Sequence, residues 1–563
     1  MMHLADVLLH QASQLPQSPP RFSAHFHLHT PIHAPLLLSL PKPNPSTRHH
    51  PRNHVKTSAN ANNTASPSSP PPPSPTIPPT DIDGQIFNIA FPTLATLAAD
   101  PLAALVSVAW VGHLGAKELA GVGVALSVYN AYTKIFNMPL LAVITSSTAQ
   151  ALGRGERETV EQGNKPTSGV DVGTAVTSAL ALAASIGLLQ ALLLGVLGIQ
   201  GLSTWGASPS SPIYSSAVQY LGVRAVGAPA TVLFLSLQGA FRGLGDTRAP
   251  LVATIASNAI NLVLEPIFIF TLHGGVKGAA AAVVVSQLVA VLGLAVVLAR
   301  KLNLQPPDAS VLRESAQYLK PTGLLTLRTL AITATFSVAT SLASRTDPVH
   351  AAAHQIAFQL WLSSSLLADS LAVAAQSLVA RSLATPNPTA ANRAFASAVS
   401  RRVSSLSLAL GVVLSIGLSV STVTFPLTRM FSSDPAVLTV LDSIMPAVIA
   451  LQPINALAFT FDGILYGVNG FGYAAQAMAA SAAPAMATML AGARWVSTTG
   501  AGPQAQLSVV WAGLAVVMMA RFLTIFVPYK LKKKPFDSLF FFPMTTTMTN
   551  STNTVRDQRE PEE

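Results

Sequence analysis

Of the 563 residues, 50% are hydrophobic and 10% are charged, where a soluble domain carries roughly 25% charged residues. So little charge belongs in lipid, and the net +10 sits in short loops and at the two ends, so no nucleic-acid partner is expected. There is no cysteine, which removes disulfides, iron–sulfur clusters, thiolate zinc sites and cysteine nucleophiles.

Residues 1–80 are rich in Pro, Ser, Asn and His and run through Pro70-Pro71-Pro72-Pro73. Such a composition cannot form a packed core. Asp6 is the only acid before Asp81, while Arg21, Lys42, Arg48, Arg52 and Lys56 are spread along the segment. A basic, Ser-rich, acid-poor leader predicts an organelle transit peptide; the alternative is an ordinary cytoplasmic tail.

From 84 to 530 the chain is a succession of apolar runs, each about 20 residues or more, the length needed to cross ~30 Å of hydrocarbon. Twelve are expected, centred near Leu97, Leu140, Ala183, Phe234, Asn261, Gln287, Thr333, Asp369, Val412, Ile454, Ala483 and Val516. The loops after the even-numbered runs carry the basic residues: Arg154, Arg157 and Lys165; Arg242 and Arg248; Arg300, Lys301, Arg313 and Lys320; Arg381, Arg393, Arg401 and Arg402. Lys530, Lys532, Lys533 and Lys534 follow the twelfth, while the opposite loops are nearly free of Lys and Arg. The positive-inside rule then puts both ends on the same, basic side. Residues 531–563 form a polar tail, whose Asn550-Ser551-Thr552 sequon lies on that side and carries no weight.

The fold class is therefore an all-α membrane protein of twelve transmembrane helices, in two six-helix lobes over 84–302 and 303–530. Pro229, Gly239 and Gly243 recur at the same spacing as Pro453, Gly463 and Gly467, and Ala149-Gln150-Ala151-Leu152 resembles Ala380-Arg381-Ser382-Leu383. Six helices per half imply a parallel internal repeat around a cleft near the membrane midplane.

A carboxylate in a membrane helix costs several kcal/mol unless it faces a polar cavity or takes up a proton. Four acids stand in apolar runs: Asp100, Glu265, Asp369 and Asp462. Each has polar company at helical spacing: Thr93, Thr96 and Ser107 with Asp100; Asn258 and Asn261 with Glu265; Ser365 and Gln376 with Asp369; Asn455 and Tyr466 with Asp462. Glu265 and Asp462 lead as groups that bind and release a proton or cation. Lys134 and Arg328 could hold an anionic substrate, or snorkel to the interface. Asn258, Asn261, Gln355, Gln359, Asn455 and Tyr466 complete the candidate substrate contacts. His350 and His354 lie one turn apart without a third ligand, so no metal is expected. There is no phosphate-binding G-x-x-x-x-G-K-[ST] loop and no H-E-x-x-H helix, so neither ATP hydrolysis nor an embedded enzyme is indicated, and no cofactor is expected.

Asp100-Pro101-Leu102 running to Val111-Gly112-His113-Leu114-Gly115 and Glu118-Leu119-Ala120 resembles the first helix and loop of the multidrug and toxic compound extrusion (MATE) family. Phe241-Arg242-Gly243 with Asp246-Thr247-Arg248, Ala353-His354-Gln355-Ile356 and Gln452-Pro453-Ile454-Asn455-Ala456 are similar to further motifs of that family. Ser364 to Asp369 and Phe461-Asp462-Gly463 look like its plant branch, which includes citrate exporters and plastid members. The resemblance implies a monomeric antiporter in the chloroplast envelope, or alternatively the plasma or vacuolar membrane. Its partners would be a small organic ion, a proton or sodium as coupling ion, and membrane lipid. Organic anions such as citrate are favoured over organic cations, and a lipid flippase is the alternative within related folds. Many relatives carry an aspartate in a Val-Asp-Thr context in the first helix; the matching stretch here reads Val106-Ser107-Val108, so that coupling carboxylate is not available.

Overall fold

The computed structural model describes residues 81–162, 168–205, 207–302, 304, 313, 315–385, 388–423 and 434–540. The expected transit peptide, Lys165 and the tail from 541 with its sequon lie outside these residues. Among the described residues, every regular element is a helix.

The first half contains α1 (Ile82–Gly112), α2 (Ala116–Gln162), α3 (Ser168–Leu193), α4a (Tyr214–Val226), α4b (Ala228–Gly243), α5 (Arg248–Pro266) and α6 (Gly275–Lys301). The second contains α7 (Leu319–Ser344), α8 (Pro348–Ser382), α9 (Ala390–Val423), α10 (Pro435–Gly467), α11 (Phe471–Thr499) and α12 (Pro503–Lys530), then a short α13 (Asp537–Phe540). Starts are set locally. Asp81, Asp347 and Asp434 accept bonds from the backbone N–H of Gly84, His350 and Ala436 at 2.7, 2.9 and 2.9 Å, satisfying donors that a helix start leaves open. Pro348, Pro435 and Pro503 occupy first-turn positions where no N–H is needed.

Each expected centre falls on its own helix, with α4a and α4b forming one run bent by 50°. Pro229, in the first turn of α4b, has no N–H to continue the ladder from α4a. Among the described residues, ten helices are long and apolar enough to cross a membrane, or eleven with the bent pair as one span. The remaining expected span, α11 around Ala483, is 29 residues long but is built largely of Ala, Gly, Ser and Thr, and falls short in apolarity.

The basic residues also need correcting. Arg242 was expected in a loop, yet it is buried in the last turn of α4b. Arg393, Arg401 and Arg402 lie within α9. Arg154 lies in α2, whose 47 residues run for about 70 Å, well beyond the hydrocarbon core. The positive charge thus sits partly on helical extensions.

Packing follows the small residues. α1 packs on α5, α2 and α3 on α4b, and α5 on α6; in the second half α7 packs on α11, α8 and α9 on α10, and α11 on α12. A Cβ on Gly187 would lie 2.6 Å from Pro229, and one on Gly243 2.6 Å from the Thr145 carbonyl. At one constant sequence offset, a Cβ on Gly411 would lie 2.5 Å from Pro453. Gly463, the counterpart of Gly239, meets the Ala372 backbone, and Gly467, the counterpart of Gly243, approaches Val379. These glycines let α4b approach α2 and α3, and let α10 approach α8 and α9, at backbone distance.

The halves meet towards their basic ends. Gln376 Nε2 donates to the Ala142 carbonyl at 2.7 Å and to Ser146 Oγ at 2.8 Å. Ser377 Oγ donates to the Arg242 carbonyl at 3.0 Å, and Ser146 Oγ to that of Tyr466 at 3.0 Å. Beyond them, Arg402 forms a two-pronged ion pair with Asp83, at 2.6 Å for each prong, and Arg381 pairs likewise with Glu156.

Candidate functional site

Where α2, α4b, α7, α8, α10 and α12 converge, they enclose a cavity of about 240 Å³. Its polar wall consists of Thr145, Arg242, Arg328, Thr329, Asp369, Gln376, Asp462, Tyr466 and Arg521; Met138, Leu325 and Phe459 are among its apolar residues. Asp462 is its most tightly held carboxylate. Arg328 pairs with its Oδ2 through Nη2, and Arg521 reaches the same oxygen through Nε, at 3.0 Å, and Nη2. The Arg521 guanidinium lies 4.4 Å from the centre of the Phe459 ring, and that of Arg328 5.6 Å from the Tyr466 ring. Aromatic rings thus stand against both cations within the same wall.

Three guanidinium groups face two carboxylates in this cavity. Arginine keeps its charge throughout the physiological range, so the wall holds an excess of positive charge whatever the protonation of Asp369 and Asp462.

A second cluster lies in the first half. Glu265, 2% exposed, accepts a 2.6 Å bond from Ser107 Oγ and a 3.3 Å bond from Asn261 Nδ2. Asn261 Nδ2 also donates to Ser107 Oγ at 3.2 Å, which closes a triangle between α1 and α5. Nearby, Arg224 is 6% exposed with its guanidinium 4.2 Å from the centre of the Tyr129 ring.

A MatE family model matches residues 92–267 and 325–490, most of both halves. The chain belongs to the MATE family. Protein DETOXIFICATION 44, chloroplastic, of Arabidopsis thaliana is 41% identical over 447 residues, 78% of this chain and 80% of the relative. Protein DETOXIFICATION 43 of the same plant is 37% identical over 486 residues, 78% and 89% of the two chains. The fold agrees with a crystal structure of MATE in the straight conformation: TM-score 0.66 at 17% identity, covering 82% of this chain and 97% of that one. An outward-facing multidrug resistance MATE transporter gives a TM-score of 0.66 at 17% identity, covering 81% and 96%. The protein is accordingly a multi-pass membrane transporter.

In this MATE chain the residues singled out from sequence separate into groups. Arg328, Asp369, Asp462 and Tyr466 share the cavity wall. Asn261 and Glu265 join Ser107. Asp100 is exposed and accepts a 3.2 Å bond from Asn258. Asn455, 1% exposed, donates to Ser365 at 2.8 Å between α10 and α8. Gln355 and Gln359 lie on α8 away from the cavity lining, and Gln359 Nε2 reaches Ser363 on its own helix at 3.4 Å. Lys134 is half-buried on α2, one turn before the lining residue Met138. Among the described residues, no group of three potential metal ligands includes His350 or His354. Arg242 and Arg521 are lining residues that sequence reasoning missed. Arg521 carried a usable signal, a single charge inside an apolar run.

Proposed function

We propose that this chain is a secondary antiporter that moves a small organic anion, a carboxylate such as citrate, in exchange for protons or sodium. The observation that carries this reading is the cavity in which three arginines face two aspartates. An organic cation would meet net repulsion there, and one of the two carboxylates, Asp462, is already engaged by two guanidiniums. Guanidinium groups match carboxylates in geometry as well as charge. Glu265, set apart from the cavity and hydrogen-bonded by Ser107 and Asn261, is the group we assign to the coupling ion. The halves 84–302 and 303–530 act as lobes that rock about the cleft within a single chain surrounded by lipid, so that affinity differs between the two faces.

The chloroplast envelope is the proposed membrane. The basic, acid-poor leader supports it, as do relatives named as chloroplastic, DETOXIFICATION 44 and DETOXIFICATION 45 of Arabidopsis thaliana. Residues 1–80 fused to a fluorescent protein should enter plastids; a diffuse cytosolic signal would reassign them as a tail.

The test of the transport reading is citrate flux in proteoliposomes, with and without an imposed pH or sodium gradient. Gradient-dependent citrate movement is expected. A preparation that moves a cationic dye but no citrate would keep the antiporter and reject the anion.

A further inference from the structure

The side chain of Asp462 stands where a substrate carboxylate would have to bind. It comes from α10 and is met by Arg328 from α7 and Arg521 from α12. All of these contacts fall on Oδ2, while Oδ1 is buried without a partner among the described residues. A carboxylate built into a permanent arginine clamp spreads its bonds over both oxygens, because paired N–H donors match paired lone pairs. This one holds two guanidiniums through a single atom.

The other charged and titratable groups of the wall are Arg242 from α4b, Asp369 from α8 and Tyr466 from α10 itself. α2 contributes Thr145 and no charged group. α9 and α11 pack on α10 but supply no lining residue. Arg242 forms no ion pair among the described residues, although it is 4% exposed. The wall therefore offers one arginine pair bridged by an internal carboxylate, and a third arginine with no such bridge.

We infer that Asp462 is the resting occupant of the substrate's own carboxylate site, displaced when a polycarboxylate binds. One carboxylate of the substrate takes Arg328 and Arg521 from Asp462, and a second pairs with Arg242. Stripped of both counter-ions at a position only 5% exposed, Asp462 takes up a proton as the anion enters. This inference rests on the anion reading of the cavity and adds a sign to it. An organic cation competes with the proton for a carboxylate, so its binding releases a proton. A polycarboxylate competes with the carboxylate for arginine, so its binding takes one up. A proton taken up in this way travels with the substrate and offsets one proton exchanged at Glu265, so on this inference the net exchange at Glu265 in the other half runs against sodium.

The experiment is calorimetric titration of the full purified chain in lipid nanodiscs with citrate, at a mildly alkaline pH where citrate is fully ionised. Two buffers of different ionisation enthalpy report the protons exchanged. Net proton uptake on binding is expected for the unaltered chain. Asp462→Asn should bind citrate at least about tenfold tighter, a difference of about 1.4 kcal/mol, and take up no proton; Asp462→Ala should do the same. Citrate binding without proton uptake by the unaltered chain overturns the displacement even if neither variant folds, and leaves the anion reading intact. Equal or weaker binding by a folded Asp462→Asn also overturns it. A chain that binds a cationic dye and no citrate overturns the anion reading, and the displacement with it.

Discussion

Arg521 Nε stands 3.0 Å from Asp462 Oδ2, and the pair joins α12 to α10 inside the cavity wall, with each residue only 5% exposed. Two donors of one guanidinium converge on that oxygen, a geometry that a single ammonium cannot reproduce. A hydrogen bond to a charged group contributes about 1.5–3 kcal/mol. Arg521→Gln should therefore lower the unfolding free energy by about that much in detergent, and should abolish citrate binding. Arg521→Lys should keep the charge without restoring either property. Wild-type behaviour of the lysine variant in both assays would show that charge alone matters here and that the fork does not.

Glu265 lies in the other half and does not line the cavity. Glu265→Gln retains an oxygen able to accept from Ser107 while losing the titratable group. Its expected phenotype is a separation: equilibrium binding of citrate unchanged, and flux driven by an imposed pH or sodium gradient lost. Binding and flux falling together would place Glu265 in substrate recognition. Unchanged flux would remove it from coupling.

Much of this architecture could be read from the pattern of apolar runs, because lipid permits few alternatives to a helix of spanning length. The site was half legible. Arg328, Asp369 and Asp462 stood out because charge inside an apolar run demands an explanation. Arg242 did not: followed closely by Gly243, Gly245, Asp246 and Arg248, it reads as part of a polar loop, and only the packing of α4b on α2 reveals it as buried. The pairing of Arg328 with Asp462 was also out of reach, since the two are 134 positions apart and no local periodicity links helices α7 and α10. Asp100 parts from its neighbours: Thr93 and Thr96 are buried and bonded to their own helix, while Asp100 is exposed and accepts a bond from Asn258 of α5, a pairing that spacing along α1 alone does not reveal.

Close helix approach makes a stability prediction with an internal control. A Cβ at Gly463 would collide with the Ala372 backbone, which cannot move aside without displacing α8, whereas one at Gly293 would meet nothing within 4 Å. Gly463→Ala should destabilise by about 1–3 kcal/mol, the usual range for overpacking. Gly293→Ala should be neutral or stabilise by up to about 1 kcal/mol through helix propensity. Thermal unfolding of both variants in the same detergent decides the matter. Equal midpoints would mean that the contact between α8 and α10 is looser than the backbone geometry requires.

The ion pairs between the halves lead to a prediction about access. Asp83–Arg402 joins α1 to α9, and Glu156–Arg381 joins α2 to α8, so both tie one half to the other at the basic ends of the helices. Exposed pairs contribute little to overall stability, but these two would have to separate before the halves part on that side, so their loss shifts the equilibrium towards a state open there. The chain has no native cysteine, so one introduced at Thr145, in the cavity wall, is a background-free reporter. In oriented vesicles, a membrane-impermeant maleimide applied from the basic side should label Thr145→Cys slowly. Adding Glu156→Gln and Asp83→Asn should accelerate that labelling and slow it from the opposite side. Faster labelling from both sides would indicate general loosening of the bundle. An unchanged rate from the basic side would mean that the buried bonds of Gln376 and Ser377 across the same interface keep it closed without help from the ion pairs.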